Sequence, residues 1–337
     1  MKCCANCFTD PHLSAEWANL AEIEGEDCDY CGAVRVHVID PRKLKDRFAP
    51  VAAIYAPDEN GRPLIDCVQE DWRIFNVARL GQQGPRSLFG DILDDAELVR
   101  RPFAVSCRFE RPGMHMLWES LRDELIARNR YFPETALDEV RFGALLGFLK
   151  GRQIPTKWYR ARIQQADEPY SLDAMGPPPK EITSVGRANP AGIPYLYLAE
   201  NQNTAAAEIR PHTGDRVCVA EFDIPDGLKL VDLRAPRTMI SPLDLGDEDR
   251  IASLKNDLPF LERLGEELTR PVIPTRVAID YVPSQYLCEL IKKLGWDGVV
   301  YRSSVGTGMN MALFNPSHAA GRGVEQMRVS RVSVEVG

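Results

Sequence analysis

Four cysteines near the start constrain this chain more than any other feature: Cys4 and Cys7, twenty intervening residues, then Cys28 and Cys31. Each C-x2-C pair makes a tight knuckle that presents two thiolates to one metal, and two knuckles complete a tetrahedral four-sulfur site. Four thiolates leave no position open to water, so the spacing predicts a structural Zn2+ site rather than a catalytic one. The competing explanation is a redox C-x2-C or a set of unrelated buried thiols. Cys3 replaces Cys4 in this register only by turning one pair into C-x3-C. Nine cysteines are many for a reducing compartment, where disulfides rarely persist. Cys67, Cys107, Cys218 and Cys288 are scattered and read as small core residues.

A chain of 337 residues has room for two or three domains, each with its own core, and 44% hydrophobic with 27% charged residues is ordinary for a globular protein. The formal charge of −8 argues against broad affinity for nucleic acid, although a few arginines can still form a local pocket for an anion. No apolar run is long enough to span a membrane, and the N-terminus MKCCANCFTDPH lacks the apolar stretch of a secretory signal. The expected location is therefore cytoplasmic, with no membrane partner.

Three regions follow along the chain. Residues 1–40 carry the C-x2-C…C-x2-C module. Residues 41–150 are expected to be mainly helical, from apolar spacing of three and four at 71–75, 117–131 and 137–149, with a break at 81–85 and Pro133 stopping the second helix. From about residue 155, β-branched and aromatic runs alternate with turns at 157–163, 195–199, 217–223, 228–233, 276–281, 298–302 and 309–314. Two helices interrupt them, one within 247–268 and one capped by Ser284 and stopped by Gly295. Strands without regular strand–helix alternation predict an α+β domain over residues 151–325.

Three stretches of that domain carry chemistry. As a strand, Trp158-Tyr159-Arg160-Ala161-Arg162-Ile163 places Arg160 and Arg162 on one face, and two guanidinium forks suit a pyrophosphate. By itself this equally describes a solvated edge strand. The second stretch, Gly186-Arg187-Ala188-Asn189-Pro190-Ala191-Gly192, delivers Arg187 just before a strand on which Tyr195, Tyr197 and Ala199 share a face. Asn203 or Thr204 then caps a short helix holding Ala205-Ala206-Ala207-Glu208, whose glutamate can be read plainly as a favourable charge near a helix start. The third stretch runs from Gly298-Val299-Val300-Tyr301-Arg302 into Ser303-Ser304, a glycine loop and Met309-Asn310-Met311-Ala312-Leu313-Phe314. A serine at such a strand end can bond a phosphate or ribose, but no G-x-S-x-G elbow makes it a hydrolase nucleophile.

Taken together these stretches resemble the RES domain family, whose name records an Arg, a Glu and a Ser. The matching motifs are Tyr159-Arg160, the GRxNPxG loop with Leu196-Tyr197, the A-x-E helix motif at Ala206–Glu208, and the G-[IV]-x-Y-x-S strand at Gly298–Ser303 followed by Asn310-x-x-Leu313-Phe314. The resemblance covers roughly residues 155–320. The cysteine knuckles and helical middle are similar to an N-terminal segment fused to some RES domains and discussed with HEPN-type helical domains. Two positions depart from the pattern: Ala188 stands where an aromatic is common, and Gly306 where an Arg is common. The family serine is thereby open between Ser303 and Ser304.

The resemblance implies an ADP-ribosyltransferase-like fold and an enzyme that consumes NAD+ by phosphorolysis or hydrolysis of the nicotinamide–ribose bond, acting as a toxin or defence effector. It assigns Glu208, Arg160 and Ser303 to catalysis. Arg187, Tyr197, Arg162, Asn189 and Ser304 would bind substrate. NAD+ is then the substrate, phosphate a candidate co-substrate, and Zn2+ purely structural. Such an activity requires restraint by an antitoxin, another regulator or the chain itself, and a homo-oligomer is compatible with it. Two alternatives come from other classes: transfer of ADP-ribose to a macromolecule, and a non-catalytic zinc-based interaction or nucleic-acid-binding module. Glu22, Glu24, Glu26, Asp27 and Asp29 make the knuckles acidic, which weakens the last.

Overall fold

A computed structural model describes residues 1–332. The chain divides into two compact units, one of residues 1–116 and 236–260, the other of residues 117–235 and 261 onward. Two of the three divisions fall inside the helices Met114–Ala127 and Glu248–Thr269, and the third lies just before Pro236.

In the first unit the strands Cys3–Cys4, Val36–Ile39 and Ile23–Glu26 form an antiparallel sheet in that spatial order. The helix Pro11–Leu20 begins with Pro at its first position and is capped by Asp10, whose side chain accepts from the Leu13 amide at 2.8 Å. Phe8, Phe48, Phe75 and Phe89 then stack in tilted and edge-on pairs with centroids 5.7–6.0 Å apart, an apolar nucleus for the helices Lys45–Ala53, Leu64–Trp72 and Gly84–Leu93. The region 41–150 also contains a strand pair, Tyr55–Pro63 with Pro102–Val105, that apolar spacing did not reveal.

The second unit is built on a seven-stranded sheet. Its strands in chain order are β1 (Lys157–Ile163), β2 (Leu196–Ala199), β3 (Arg216–Asp223), β4 (Leu230–Asp232), β5 (Gly298–Arg302), β6 (Met309–Leu313) and β7 (Ala320–Arg328). Their spatial order is 7-3-1-2-6-5-4, and every pair is antiparallel except β4 with β5. Successive residues of a strand face opposite sides. On one side Trp158, Leu196, Leu198, Cys218, Ala220, Phe222, Val300, Met309, Met311 and Leu313 form the main core. Full burial of such a side chain stabilises by roughly 1.5–3 kcal/mol each. The other side carries Tyr159, Ala161, Tyr197, Ala199, Tyr301 and Asn310, of which the small residues pack with Ala205, Val217 and Val219.

Several expectations are corrected. Residues 276–281 are not a strand: a 3-10 turn, Pro274–Arg276, leads into the helical turn Val277–Asp280. Proline opens the turn, and an ion pair between Arg276 and Asp280 at 3.4 Å joins neighbouring turns, so local helical bonding overrides the β-branched composition. At 71–75 the helix stops at Trp72, because Arg73 adopts a left-handed backbone (φ 51°). Ser284 does not cap its helix, Val282–Lys293; it lies inside the first turn and donates to the carbonyls of Tyr281 and Arg187. Cys107 is exposed rather than a core residue, whereas Cys67, Cys218 and Cys288 are buried. No helix among the described residues is long and apolar enough to cross a membrane.

Candidate active site and candidate metal centre

The catalytic candidates meet on the less apolar side of the sheet. Asn201, not Asn203 or Thr204, caps the helix Gln202–Glu208, accepting from the Thr204 amide at 2.8 Å. Glu208 is therefore the last residue of that helix, not one near its start. The partial charge of a helix C-terminus disfavours a carboxylate, so dipole stabilisation does not account for this glutamate. What holds it is a pair of donors on one oxygen: Ser303 Oγ at 2.7 Å and Asn310 Nδ2 at 2.6 Å, both to Oε1. The alanines bring the helix close to the sheet, with Ala205 buried against Ala161 and Ala199.

Glu208 lines a cavity of about 340 Å3 together with Arg160, Arg187, Tyr159, Tyr197, Tyr301 and Asn310. Arg160 alternates with Trp158 on the core side, yet it reaches the cavity. β1 pairs with β2 at a single position, Tyr159 with Ala199, and Arg160 Nη1 donates to the Tyr197 carbonyl at 3.2 Å across the opening. Burial lowers its pKa to about 10, still charged at neutral pH, and its Nε has no partner among the described residues. Arg187 is fixed from three directions: Nη1 to the Arg270 carbonyl at 2.6 Å, Nη2 to Ser304 Oγ at 3.4 Å, and the guanidinium 5.3 Å from the Tyr281 ring centroid.

Arg162 does not join them. Its Nη2 donates to the Gly176 carbonyl at 2.7 Å and it is absent from the cavity lining, so the expected pair of forks on one strand is replaced by Arg160 with Arg187. Asn189 also stands behind the cavity. Its Oδ1 accepts from Tyr197 Oη at 2.7 Å, its Nδ2 donates to the Ser184 and Pro190 carbonyls, and Tyr197 Oη accepts from the Ala188 amide at 3.0 Å. Burial raises the Tyr197 phenol well above its ordinary range, keeping it neutral. Gly186 is required by this clasp, since a Cβ there would collide with Asn189 Oδ1 and Tyr197 Oη. The GRxNPxG loop thus positions Arg187 through a polar knot in which Gly186 and the Tyr197 ring also line the cavity, while Ala188 and Asn189 do not. Of the two serines, Ser303 bonds Glu208, and Ser304 bonds Arg187.

Sequence reasoning attached no role to Asn310, although its motif was visible, and it missed Tyr281 and Tyr301. Tyr281 had no signal, because its segment was read as a strand; Tyr301 looked like any core residue of β5.

In the first unit the Sγ atoms of Cys4, Cys7, Cys28 and Cys31 all lie within 4.8 Å of one another, with Cys4–Cys31 and Cys7–Cys28 at 3.5 Å. A tetrahedron of sulfurs about 2.3 Å from a zinc ion has edges of roughly 3.8 Å, so the four fit one Zn2+. Hydrogen bonding from Cys4 and Cys7 holds the Cys28 thiol far below its usual range, and that to Cys28 raises Cys4 to about 12. Gly32 turns the second knuckle with φ 69°, its amide donating to the Cys28 carbonyl at 3.1 Å. Cys3, although buried next to Cys4, is outside the set.

Among curated proteins no match is found. A structural match is a chain of the M. tuberculosis MbcT–MbcA toxin–antitoxin complex, at 15% identity and a TM-score of 0.34, covering 58% of this chain and 94% of that one. The RES domain family matches residues 157–334, more than half of the sequence and inclusive of β1 to β7. This chain belongs to the RES domain family.

Proposed function

We propose that this protein consumes NAD+ by breaking the bond between nicotinamide and ribose. The observation that carries the proposal is the Glu208 carboxylate, locked by Ser303 and Asn310 at the wall of a cavity that also holds two arginines and four tyrosines. Breaking the C1′–N bond sends its electron pair to nicotinamide, which leaves neutral, and develops positive charge on the ribose, as in glycoside cleavage. A carboxylate already fixed beside that charge stabilises the transition state more than the ground state. Water or phosphate then adds to C1′ and gives up a proton. Because nicotinamide leaves neutral, neither a metal nor a general acid is obligatory.

Glu208 is the charge-stabilising group, Ser303 holds it, Arg160 and Arg187 bind the pyrophosphate, and Tyr197 packs against the nicotinamide riboside end. Ser304 and Asn189 keep Arg187 and its loop in place. Family resemblance supports an ADP-ribosyltransferase-like catalytic domain over residues 151–325, behind a helical region (41–150) and a Zn2+ module (1–40). The same resemblance supports a toxin or defence effector restrained by an antitoxin or another regulator.

The test is direct. Purified, zinc-loaded protein releases nicotinamide from NAD+, followed by chromatography with and without phosphate, which separates ribose phosphorolysis from hydrolysis. Intact NAD+ under both conditions would overturn the proposal. A mass increase of a macromolecular target instead would mark the chain as an ADP-ribosyltransferase.

A further inference from the structure

Asn310 is almost fully buried in β6, in the interior of the sheet. Oε1 of Glu208 accepts from Ser303 as well, and the Asn310 atom 2.6 Å from it is the donor Nδ2. The atom left over, Oδ1, is buried and has no donor among the described residues. Buried side-chain acceptors in folded proteins are nearly always satisfied, and a vacant one in a cavity wall is a place for a donor from outside the chain. Ser303 and Asn310 both bond Oε1 of Glu208, so neither of these donors occupies its Oε2.

The cavity wall therefore presents an amide oxygen with no donor among the described residues, next to a carboxylate whose two donors both sit on its other oxygen. A vicinal cis-diol supplies two hydroxyl donors on adjacent carbons. We infer that Asn310 is a specificity-determining residue that accepts the 3′-hydroxyl of the nicotinamide ribose, while the neighbouring hydroxyl faces Glu208. This inference rests on the NAD+ proposal for the identity of the sugar and adds what the site reads on it. The ligand class is a ribofuranoside with a free 3′-hydroxyl, and a 3′-deoxy sugar leaves Oδ1 unpaired and is rejected.

The experiment is calorimetric titration of the full-length, zinc-loaded protein with the carbocyclic analogue of nicotinamide riboside, whose C–N bond is not cleaved, and with its 3′-deoxy counterpart. Wild-type protein binds the 3′-deoxy compound about tenfold more weakly or worse, the loss expected for one buried hydrogen bond. Asn310→Leu and the smaller Asn310→Ala bind the two compounds equally. A purely structural role for Asn310 would weaken both compounds together and keep their ratio. Equal binding to the wild type, no binding of either compound, or an unchanged ratio in a folded variant would each overturn the inference, leaving Oδ1 to an ordered water. Diol discrimination without nicotinamide release from NAD+ would instead sink the proposed reaction and leave this inference standing.

Discussion

The cysteine cluster and the Glu208 cavity are two ways of bringing side chains together. The cluster draws all its ligands from residues 4–31, and two C-x2-C knuckles deliver two sulfurs each by local geometry. The cavity draws Glu208 to partners 95 and 102 residues away along the chain, Ser303 and Asn310, and only a correctly ordered sheet can do that. The first arrangement would use a cation to offset four crowded thiolates. The second depends on strand register: β6 puts Asn310 opposite Ala199 of β2 and Tyr301 of β5, and a slip by one residue would turn its amide into the main core. Local spacing thus specifies the four-sulfur cluster well and the dispersed cavity poorly.

The contrast can be broken at several strengths. Replacing Cys28 with Ala should remove Zn2+ altogether and destabilise residues 1–40 by several kcal/mol, because metal binding and folding are one event in such modules. Bound zinc by elemental analysis and hydrogen exchange of residues 1–40 read this, with Cys107→Ala as the exposed control that keeps the metal. Retained stoichiometric zinc in the Cys28 variant would refute the four-sulfur site. Next is Glu208→Gln, expected to lower nicotinamide release about 10³-fold with little change in melting temperature, as for loss of one group preorganised for the transition state. Residual activity within tenfold of wild type would remove Glu208 from the centre of the mechanism.

A smaller effect is expected from Tyr197→Phe. Losing the hydroxyl leaves the Ala188 amide and Asn189 Oδ1 without their partner, a cost of about 1–3 kcal/mol in stability, and loosens the loop that carries Arg187. Thermal unfolding and a KM that rises more than kcat falls would show it. Smallest of all is Arg162→Ala. With its guanidinium spent on the Gly176 carbonyl, it should change kcat/KM by less than about threefold, against roughly 10²-fold for Arg160→Ala. Equal losses for the two arginines would restore the reading in which both grip the pyrophosphate from one strand.

Arg162 marks the limit of sequence periodicity. The strand 157–163 and its alternation were legible, but alternation put Arg160 beside Arg162 and away from the tyrosines. The single-pair contact between β1 and β2 lets Arg160 cross, and that opening has no local signature. Glu208 shows the same limit in another way. The short alanine helix was visible, yet its cap lies at Asn201, and this shift places the glutamate at the helix end instead of near its beginning. β7 went unseen because Ala320–Arg328 is a largely exposed edge strand whose composition, AGRGVEQMR, has little β-branched or apolar pattern.

By itself the sequence determined the cysteine knuckles, most strands of the sheet, the order of the Arg, Glu and Ser motifs and the family they resemble. These follow from bonds and periodicities spanning a few residues. The tertiary structure alone decided that Ser303 rather than Ser304 meets Glu208, that Arg187 rather than Arg162 accompanies Arg160, and that Asn310 stands with one amide atom bonded and the other without a donor among the described residues. Each of those depends on which strand lies next to which, and on hydrogen bonds about 3 Å long between residues far apart in the chain, where a shift of a single ångström changes the partner.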